Sequence, residues 1–201
     1  MMSALPSFSD LVGNSPDLNG ALLSALEILF EPSPVLSKIV FDISSPTRLG
    51  PRGVICSYSD LIDVALNVIS RWDDELKARF IAGHPRIGEV KNLSHLSARE
   101  QAAVATRPAI LVRLGHLNAC YEHRYPGLRY IIFVNGRSRE AIKEEMESVL
   151  GIERSLSPDQ PPVKNVSSVQ VGGREWKDEL ARAIVDVGRI AKDRVRALGV
   201  E

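Results

Sequence analysis

The sequence has little cysteine and no excess charge of either sign. Its two cysteines, Cys56 and Cys120, are too few for a framework of several disulfides and favour a reducing compartment. Lys and Arg together number 25, Asp and Glu together also number 25, and the pI is about 6.9. Nucleic acid is therefore excluded as the main partner, because binding it requires a clustered excess of positive charge.

Long hydrophobic runs are also missing. No stretch approaches the ~20 apolar residues that span a bilayer, so we expect no membrane partner. Residues 1–10 lack a basic region followed by an apolar one, and residues 197–201 carry no peroxisomal or endoplasmic-reticulum signal. We therefore expect a cytoplasmic protein, with a peroxisomal location left open.

Length and composition predict a globular chain. With 201 residues it exceeds an average domain of ~150 residues only modestly, so we expect residues 1–201 to form a single domain. Apolar residues make up 44% and charged residues 25%, the balance of an ordinary folded protein. Extensive disorder is therefore not expected.

Apolar residues recur at three- and four-residue spacing through most of the chain, which predicts helices. The predicted helical segments are 8–12, 18–30, 59–72, 73–82, 97–122, 138–150 and 175–198. Residues 73–82 either continue the preceding helix or start a new one, and residues 97–122 form one helix or two. Ser59 and Ser138 are expected to cap two of them, and Gly83 and Gly151 to mark two ends.

One run, residues 130–134, has the composition of a β-strand. Because a single strand cannot form a sheet, we expect an all-α fold, a single-domain helical bundle with one short extended segment. Residues 154–173 are rich in Ser, Pro, Val and Gly. We expect them to form a mobile loop that can be shortened without loss of the fold.

His84 is the first candidate for chemistry. It follows a predicted helix and precedes Pro85, which restricts the backbone before it. The carbonyl end of a helix favours a cationic imidazolium, which suits a proton donor. The alternative is a histidine that only hydrogen-bonds the last carbonyls of the helix.

A second candidate is Glu100 in the sequence from Ser97 to Gln101. Ser-x-x-Glu is the pattern of a capping box, with Ser97 at the N-cap and Glu100 three residues later. A purely structural role is therefore one alternative. A carboxylate fixed near a helix N-terminus, where anions also bind, is the other.

The third candidate is Arg194 on the last predicted helix. At 100° per residue it lies within the apolar stripe, between the directions of Ala183 and Val187. The charged face is predicted to carry Arg182, Asp186, Arg189, Asp193 and Arg196. A cation on the buried side must be paired or face a polar cavity, unless its head reaches solvent near the helix end.

Signals for a metal or a cofactor are weak. Cys120 and His123 share a predicted helix, but two ligands do not make a site, and a core cysteine with a solvated histidine is favoured. No dinucleotide-binding glycine motif, Walker-type loop or nucleophile elbow occurs in the sequence. We therefore expect no metal site.

Four short motifs follow one another along the chain. They are His-Pro-x-Ile/Leu-Gly at 84–88, Ser-x-Arg-Glu-Gln at 97–101, Leu-Asn-x-x-Tyr at 117–121 and Ile-Ala-x-x-Arg at 190–194. Together they resemble the family of 2-oxo-4-hydroxy-4-carboxy-5-ureidoimidazoline (OHCU) decarboxylases. The resemblance implies an all-α, usually homodimeric enzyme without a cofactor. Such enzymes convert the ureidoimidazoline OHCU, formed from urate, to (S)-allantoin and carbon dioxide.

The resemblance also implies roles for individual residues. His84 matches the family's proton donor, Glu100 its essential carboxylate and Arg194 its essential arginine. The residues that match substrate-lining segments are Pro85, Ser97, Ala98, Arg99, Gln101, Tyr130, Ile131, Ile132, Phe133 and Val134. The chain departs from the family pattern at Arg86, where many members have Asp, at Arg129 in place of a proline, and in the insertion at 154–173.

These roles fit a decarboxylation. Loss of carbon dioxide leaves an electron pair on carbon, and the conjugated ring of OHCU can hold it until a proton arrives. Our hypothesis is that Arg194 binds an anionic group, Glu100 orients substrate and His84, and His84 delivers the proton to one face. The alternatives are a decarboxylase for another ureido acid and a non-catalytic helical module that binds a ureide or a protein.

Overall fold

A computed structural model describes residues 5–11, 17–44, 55–89, 93–102 and 106–200, and the side chains of residues 99–102 lie outside the description. The described residues form nine α-helices and one 3₁₀ turn, with no β-strand among them. The predicted all-α fold class is confirmed. None of the described helices is both long and apolar enough to span a bilayer.

The described helices have the following bounds along the chain. They are α1 (Phe8–Leu11), α2 (Leu18–Phe30), α3 (Leu36–Ser44), α4 (Tyr58–Ser70), α5 (Asp74–Ala82), α6 (His95–Ala102), α7 (Pro108–Arg124), α8 (Arg139–Leu150) and α9 (Arg174–Leu198). The 3₁₀ turn lies at Val163–Asn165.

The chain divides into two compact units. Unit 1 combines Met1–Gly83 with Ile184–Glu201, and unit 2 is His84–Ala183. The expectation that residues 1–201 form one domain stays a prediction. Each unit is described by itself below.

Unit 1 is built on helices whose apolar faces are buried. Helix α2 packs against α3, and α3 packs against α4. The rings of Phe30 and Phe80 meet edge to face with centroids 5.9 Å apart, an arrangement that aromatic rings favour. Helix α3 was not predicted, although its buried residues Leu36, Ile39, Val40 and Ile43 have helical spacing.

The helix ends show which capping predictions hold. Ser138 accepts a hydrogen bond from the Ala141 amide at 3.2 Å, and Gly151 ends α8 with φ 65, both as predicted. The prediction for Ser59 is wrong. Ser57 caps α4 instead by accepting a hydrogen bond from the Asp60 amide at 3.1 Å, so the helix begins one residue before Ser59.

Unit 2 is organised by α7 packing against α8, with a buried ion pair between them. Arg113 Nε lies 2.9 Å from Glu147 Oε1, and both side chains are fully buried. Lys143 Nζ lies 3.3 Å from the other carboxylate oxygen of Glu147. Because two cations share one buried carboxylate, the arrangement needs further acceptors for their N–H groups.

The segment 154–173 supplies those acceptors. Arg113 Nη1 donates to the carbonyls of Ser157, at 3.0 Å, and Gln160, and Lys143 Nζ donates to the Ser155 carbonyl at 3.3 Å. The Ser155 amide in turn donates to Glu147 Oε1 at 3.1 Å. These contacts make residues 155–160 part of the packing of unit 2. Mobility of the segment, and its shortening without loss of the fold, stay predictions.

Candidate active site

His84 is buried and begins unit 2. It follows Gly83, the C-cap of α5, as the sequence predicts, and its side chain is 5% exposed. Its Nε2 atom lies away from solvent. His84 lies in a loop, so no helix or strand fixes the direction of its side chain. Other contacts must therefore hold the backbone around it.

Three contacts with the rest of unit 2 fix the loop that carries His84. Arg129 donates a hydrogen bond from Nη1 to the His84 carbonyl, and Asn118 Nδ2 donates to the Ile87 carbonyl at 3.0 Å. Gly88 has φ +81, and a Cβ placed there would lie 3.3 Å from Leu114 Cβ on α7. Glycine is therefore favoured at 88 by its positive φ, and a Cβ there would also press on the Leu114 side chain.

Arg86 and Glu122 add an ion pair to the same loop. Arg86 Nε lies 2.6 Å from Glu122 Oε1, and Nη2 lies 2.9 Å from Oε2, a two-point contact. This hydrogen bonding raises the pKa of the Arg86 guanidinium. The pair ties the loop to α7, so Arg86 has a structural use in this chain.

The predicted capping box on α6 is wrong. The helix begins at His95, and Ser94 is the residue whose hydroxyl accepts from the Ser97 amide, at 3.2 Å. Ser97 is buried in the first turn, and Ala98 is exposed. Arg99, Glu100 and Gln101 are helical, and their side chains lie outside the described residues. Because Glu100 lies six residues after Ser94, it is not the third residue of a capping box.

The segment 130–134 has no regular secondary structure, as expected, and its first two side chains are buried. The carbonyl of Ile131 accepts a hydrogen bond from Arg182 Nη1 at 2.9 Å. Arg137 donates to the carbonyls of Phe133, at 2.7 Å, and Val134, at 3.0 Å. These three carbonyls therefore already accept bonds within the chain. Contact between this segment and a substrate stays a prediction.

Arg182, Glu179, Tyr121 and Tyr130 form a polar cluster next to this segment, and the sequence did not predict it. Arg182, expected on the outer charged face of α9, lies over the ring of Tyr130, with its guanidinium carbon 5.4 Å from the centroid. Glu179 holds it through Nη2 at 2.6 Å and also accepts a hydrogen bond from the Tyr121 hydroxyl. Burial, followed by the charge of Glu179, raises the pKa of Tyr121.

The sequence contained one signal for this cluster. Glu179 and Arg182 are three residues apart on a helix, the spacing of neighbouring side chains. The pattern could not show that the long side chain of Arg182 reaches back to Ile131, because that contact joins residues 51 positions apart.

Arg194 lies on the buried side of α9, as predicted, and belongs to unit 1. Its Nη2 lies 2.6 Å from Glu31 Oε1, and its Nη1 donates to the carbonyls of Ile28, at 3.2 Å, and Leu29, at 3.3 Å. The side chain is 4% exposed, which excludes the alternative of a head group in solvent. Asp186, predicted on the exposed face, is instead buried, so that part of the face prediction is wrong.

Cys120 and His123 behave as the favoured alternative predicted. Cys120 is buried and His123 is exposed. Burial raises the pKa of the Cys120 thiol. Within the described ranges, no three His, Cys, Asp or Glu side chains come together in a way that could hold a metal ion.

Comparison with known proteins places these residues in a family. No curated protein and no solved structure matches the chain. The family model of OHCU decarboxylase matches residues 19–155, a range that includes the His84 loop, Glu100 and the segment 130–134 and ends before Arg194. Because that range is well over half of the chain, the protein belongs to the OHCU decarboxylase family.

Proposed function

We propose that the protein decarboxylates OHCU to (S)-allantoin and carbon dioxide in purine degradation, without a cofactor. Membership of the family supports a decarboxylase, and the four motifs support this substrate. The observation that carries the proposal is the buried imidazole of His84 on a loop held by α7 and by Arg129. A proton donor for a stereospecific reaction needs such a fixed position.

The reaction balances with one proton donor. The bond between the ring carbon and its carboxylate breaks, carbon dioxide leaves, and the electron pair stays in the conjugated ring system. His84 then gives a proton to one face of the carbanion, which sets the configuration of the product. The imidazole recovers its proton from solvent before the next turnover.

Glu100 and Arg194 have complementary proposed roles. The Glu100 carboxylate accepts hydrogen bonds from the hydroxyl or ureido group and orients His84, and the Arg194 guanidinium binds an anionic group of the substrate. Residues around the two motifs line the substrate. These are Pro85, Ser97, Ala98, Arg99, Gln101 and the segment 130–134.

The test uses freshly prepared OHCU and follows circular dichroism as optically active allantoin forms. The wild-type protein is expected to produce (S)-allantoin faster than the spontaneous reaction. His84→Ala should remove this acceleration, while His123→Ala, a change at an exposed histidine of the same unit, should retain it. Binding of OHCU without acceleration would instead support the non-catalytic module.

The assembly is part of the same proposal. We propose a homodimer, supported by the resemblance to a family whose members are usually homodimeric. Light scattering coupled to size-exclusion chromatography should give about 44 kDa, twice the chain mass of 22.1 kDa. A mass of one chain at micromolar concentration would contradict it.

A further inference from the structure

We propose that Arg129 is a positioning residue for His84. Its guanidinium holds the carbonyl of the residue whose imidazole donates the proton. This inference rests on the proposed function for the role of His84, and it adds a residue that the family motifs do not contain. Arg129 acts through the backbone and needs no contact with the substrate.

The contact joins two well-anchored pieces of unit 2. Arg129 Nη1 donates to the His84 carbonyl across 45 positions of sequence. Arg129 lies between Leu128 and Tyr130, which are both buried, so its own backbone is fixed on each side. A hydrogen bond from a charged donor is roughly twice as strong as one between neutral groups.

The carbonyl of His84 is the group that needs fixing. Pro85 confines the rotation about the bond from Cα to the carbonyl carbon of His84 to the extended range, and the hydrogen bond from Arg129 to the His84 carbonyl holds that rotation at one value within the range. The other anchors of the loop act further along. Asn118 holds the Ile87 carbonyl, and Glu122 holds the Arg86 side chain. Arg129 therefore holds the peptide group that directly follows the Cα atom carrying the imidazole.

Misplacing a reacting group has a large effect on rate. A displacement of about 1 Å can reduce turnover by on the order of 100-fold. Loss of the Arg129 contact leaves the other anchors in place, so we expect a smaller effect, about tenfold or more in kcat. Substrate binding should change little, because the variant alters where the proton donor sits rather than what holds the substrate.

The experiment compares Arg129→Gln and Arg129→Lys with Arg124→Gln. Arg124 is the matched control, because it also donates to a backbone carbonyl of unit 2, that of Ser167 at 3.4 Å, and forms an ion pair with Glu175. We expect kcat to decrease in the order wild type, Arg129→Lys, Arg129→Gln, with KM within about twofold throughout. Arg124→Gln should retain kcat even if its melting temperature falls.

A second readout follows His84 without turnover. The imidazole proton signals of the four histidines are recorded by NMR, and the His84 signal is assigned from its loss in His84→Gln. Arg129→Gln should shift that signal and change its titration curve, while Arg124→Gln leaves both unchanged. If Arg129→Gln does not fold, the His84 signal of Arg129→Lys decides the question in the same way.

Three results would overturn the inference. The first is a kcat for Arg129→Gln within twofold of the wild-type value, and the second is an equal loss in Arg124→Gln. The third is an unchanged His84 signal in the folded Arg129 variants. Failure of the proposed function has a different signature, since a wild-type protein without OHCU turnover still gives the NMR comparison.

Discussion

Arg194 and Glu31 form an ion pair in which both side chains are buried, with 4% and 6% exposure. The pair fixes the last helix of unit 1 to the end of α2, where Glu31 is the C-cap. Glu31 has φ 69 and ψ 144, a backbone conformation that costs free energy for any residue with a side chain. Unit 1 therefore keeps Glu31 in a strained backbone conformation, and the same residue neutralises Arg194.

This arrangement allows substrate binding by Arg194 to be separated from a structural role. Arg194→Lys should lose about 2–5 kcal/mol of transition-state stabilisation, because an ammonium lacks the planar fork of donors. Glu31→Gln keeps an oxygen acceptor and leaves Arg194 in place. It should therefore lower the melting temperature and leave kcat/KM almost unchanged. Both quantities are measured for each variant.

The matched control for this comparison is Arg196→Lys. Arg196 lies on the same helix with its side chain 58% exposed, and its variant should change neither turnover nor stability measurably. The contrary result is a loss of turnover in both Arg194→Lys and Glu31→Gln that follows the loss of stability of each variant. It would show that Arg194 has a structural role alone.

On α6 we expect substitution of one residue to reduce stability and substitution of another to reduce activity. Ser94→Ala removes the observed cap and should reduce the free energy of unfolding by about 0.5–2 kcal/mol with kcat unchanged. Glu100→Gln should abolish turnover and leave the melting temperature close to the wild-type value. Chemical denaturation and the allantoin assay are run on both variants. Full activity in Glu100→Gln would remove Glu100 from the proposed site.

These cases show what the sequence could and could not predict. The apolar periodicity correctly placed Arg194 on a buried face, but its partner Glu31 lies 163 positions away and no local pattern connects them. The serine pattern identified the right helix and the wrong cap, because Ser94 and Ser97 are three positions apart and both fit a first turn. Angles around a helix also misplaced Arg182, whose long side chain reaches back to the Ile131 carbonyl.

Residues 155–160 should be required for the stability of unit 2. Deleting them removes the carbonyls of Ser157 and Gln160 from the fully buried guanidinium of Arg113. We expect Arg113→Met to destabilise the protein by about 3–5 kcal/mol, as breaking a buried charge pair does. The deletion should also destabilise it, because it leaves buried N–H groups of Arg113 without their acceptors. Urea unfolding measures the loss. Arg154→Gln, which changes an arginine with 71% exposure, serves as the control and should have almost no effect.

Two buried tyrosines should make stability fall at alkaline pH. Burial raises the pKa of both Tyr121 and Tyr130 above the ordinary value of 10.0. The folded chain therefore keeps phenol protons that the unfolded chain loses, so stability is complete below about pH 10 and decreases above it. Ultraviolet absorbance of tyrosinate should show a component that appears together with unfolding.

The tyrosine variants identify that component. Tyr121→Phe and Tyr130→Phe should each reduce the late-titrating absorbance, provided that circular dichroism shows the variants folded. Complete ionisation of every tyrosine near pH 10 in a folded protein would contradict the assignment.

Turnover should be independent of metal ions. The proposed reaction uses the substrate ring to hold the electron pair and His84 to supply the proton, so it requires no Lewis acid. Exhaustive dialysis against a chelator is expected to leave kcat and KM unchanged. Loss of activity that one added metal ion restores would show that the mechanism is wrong.

Unit 1 consists of two stretches of sequence with unit 2 between them, so its two parts are synthesised at different times. Residues 84–183 form unit 2 as one uninterrupted stretch, which can fold while the rest of the chain is still being made. Residues 184–201, which carry Arg194, are synthesised only after the whole of unit 2. Until then the carboxylate of Glu31 has no guanidinium to pair with, although Glu31 itself was made more than 160 residues earlier.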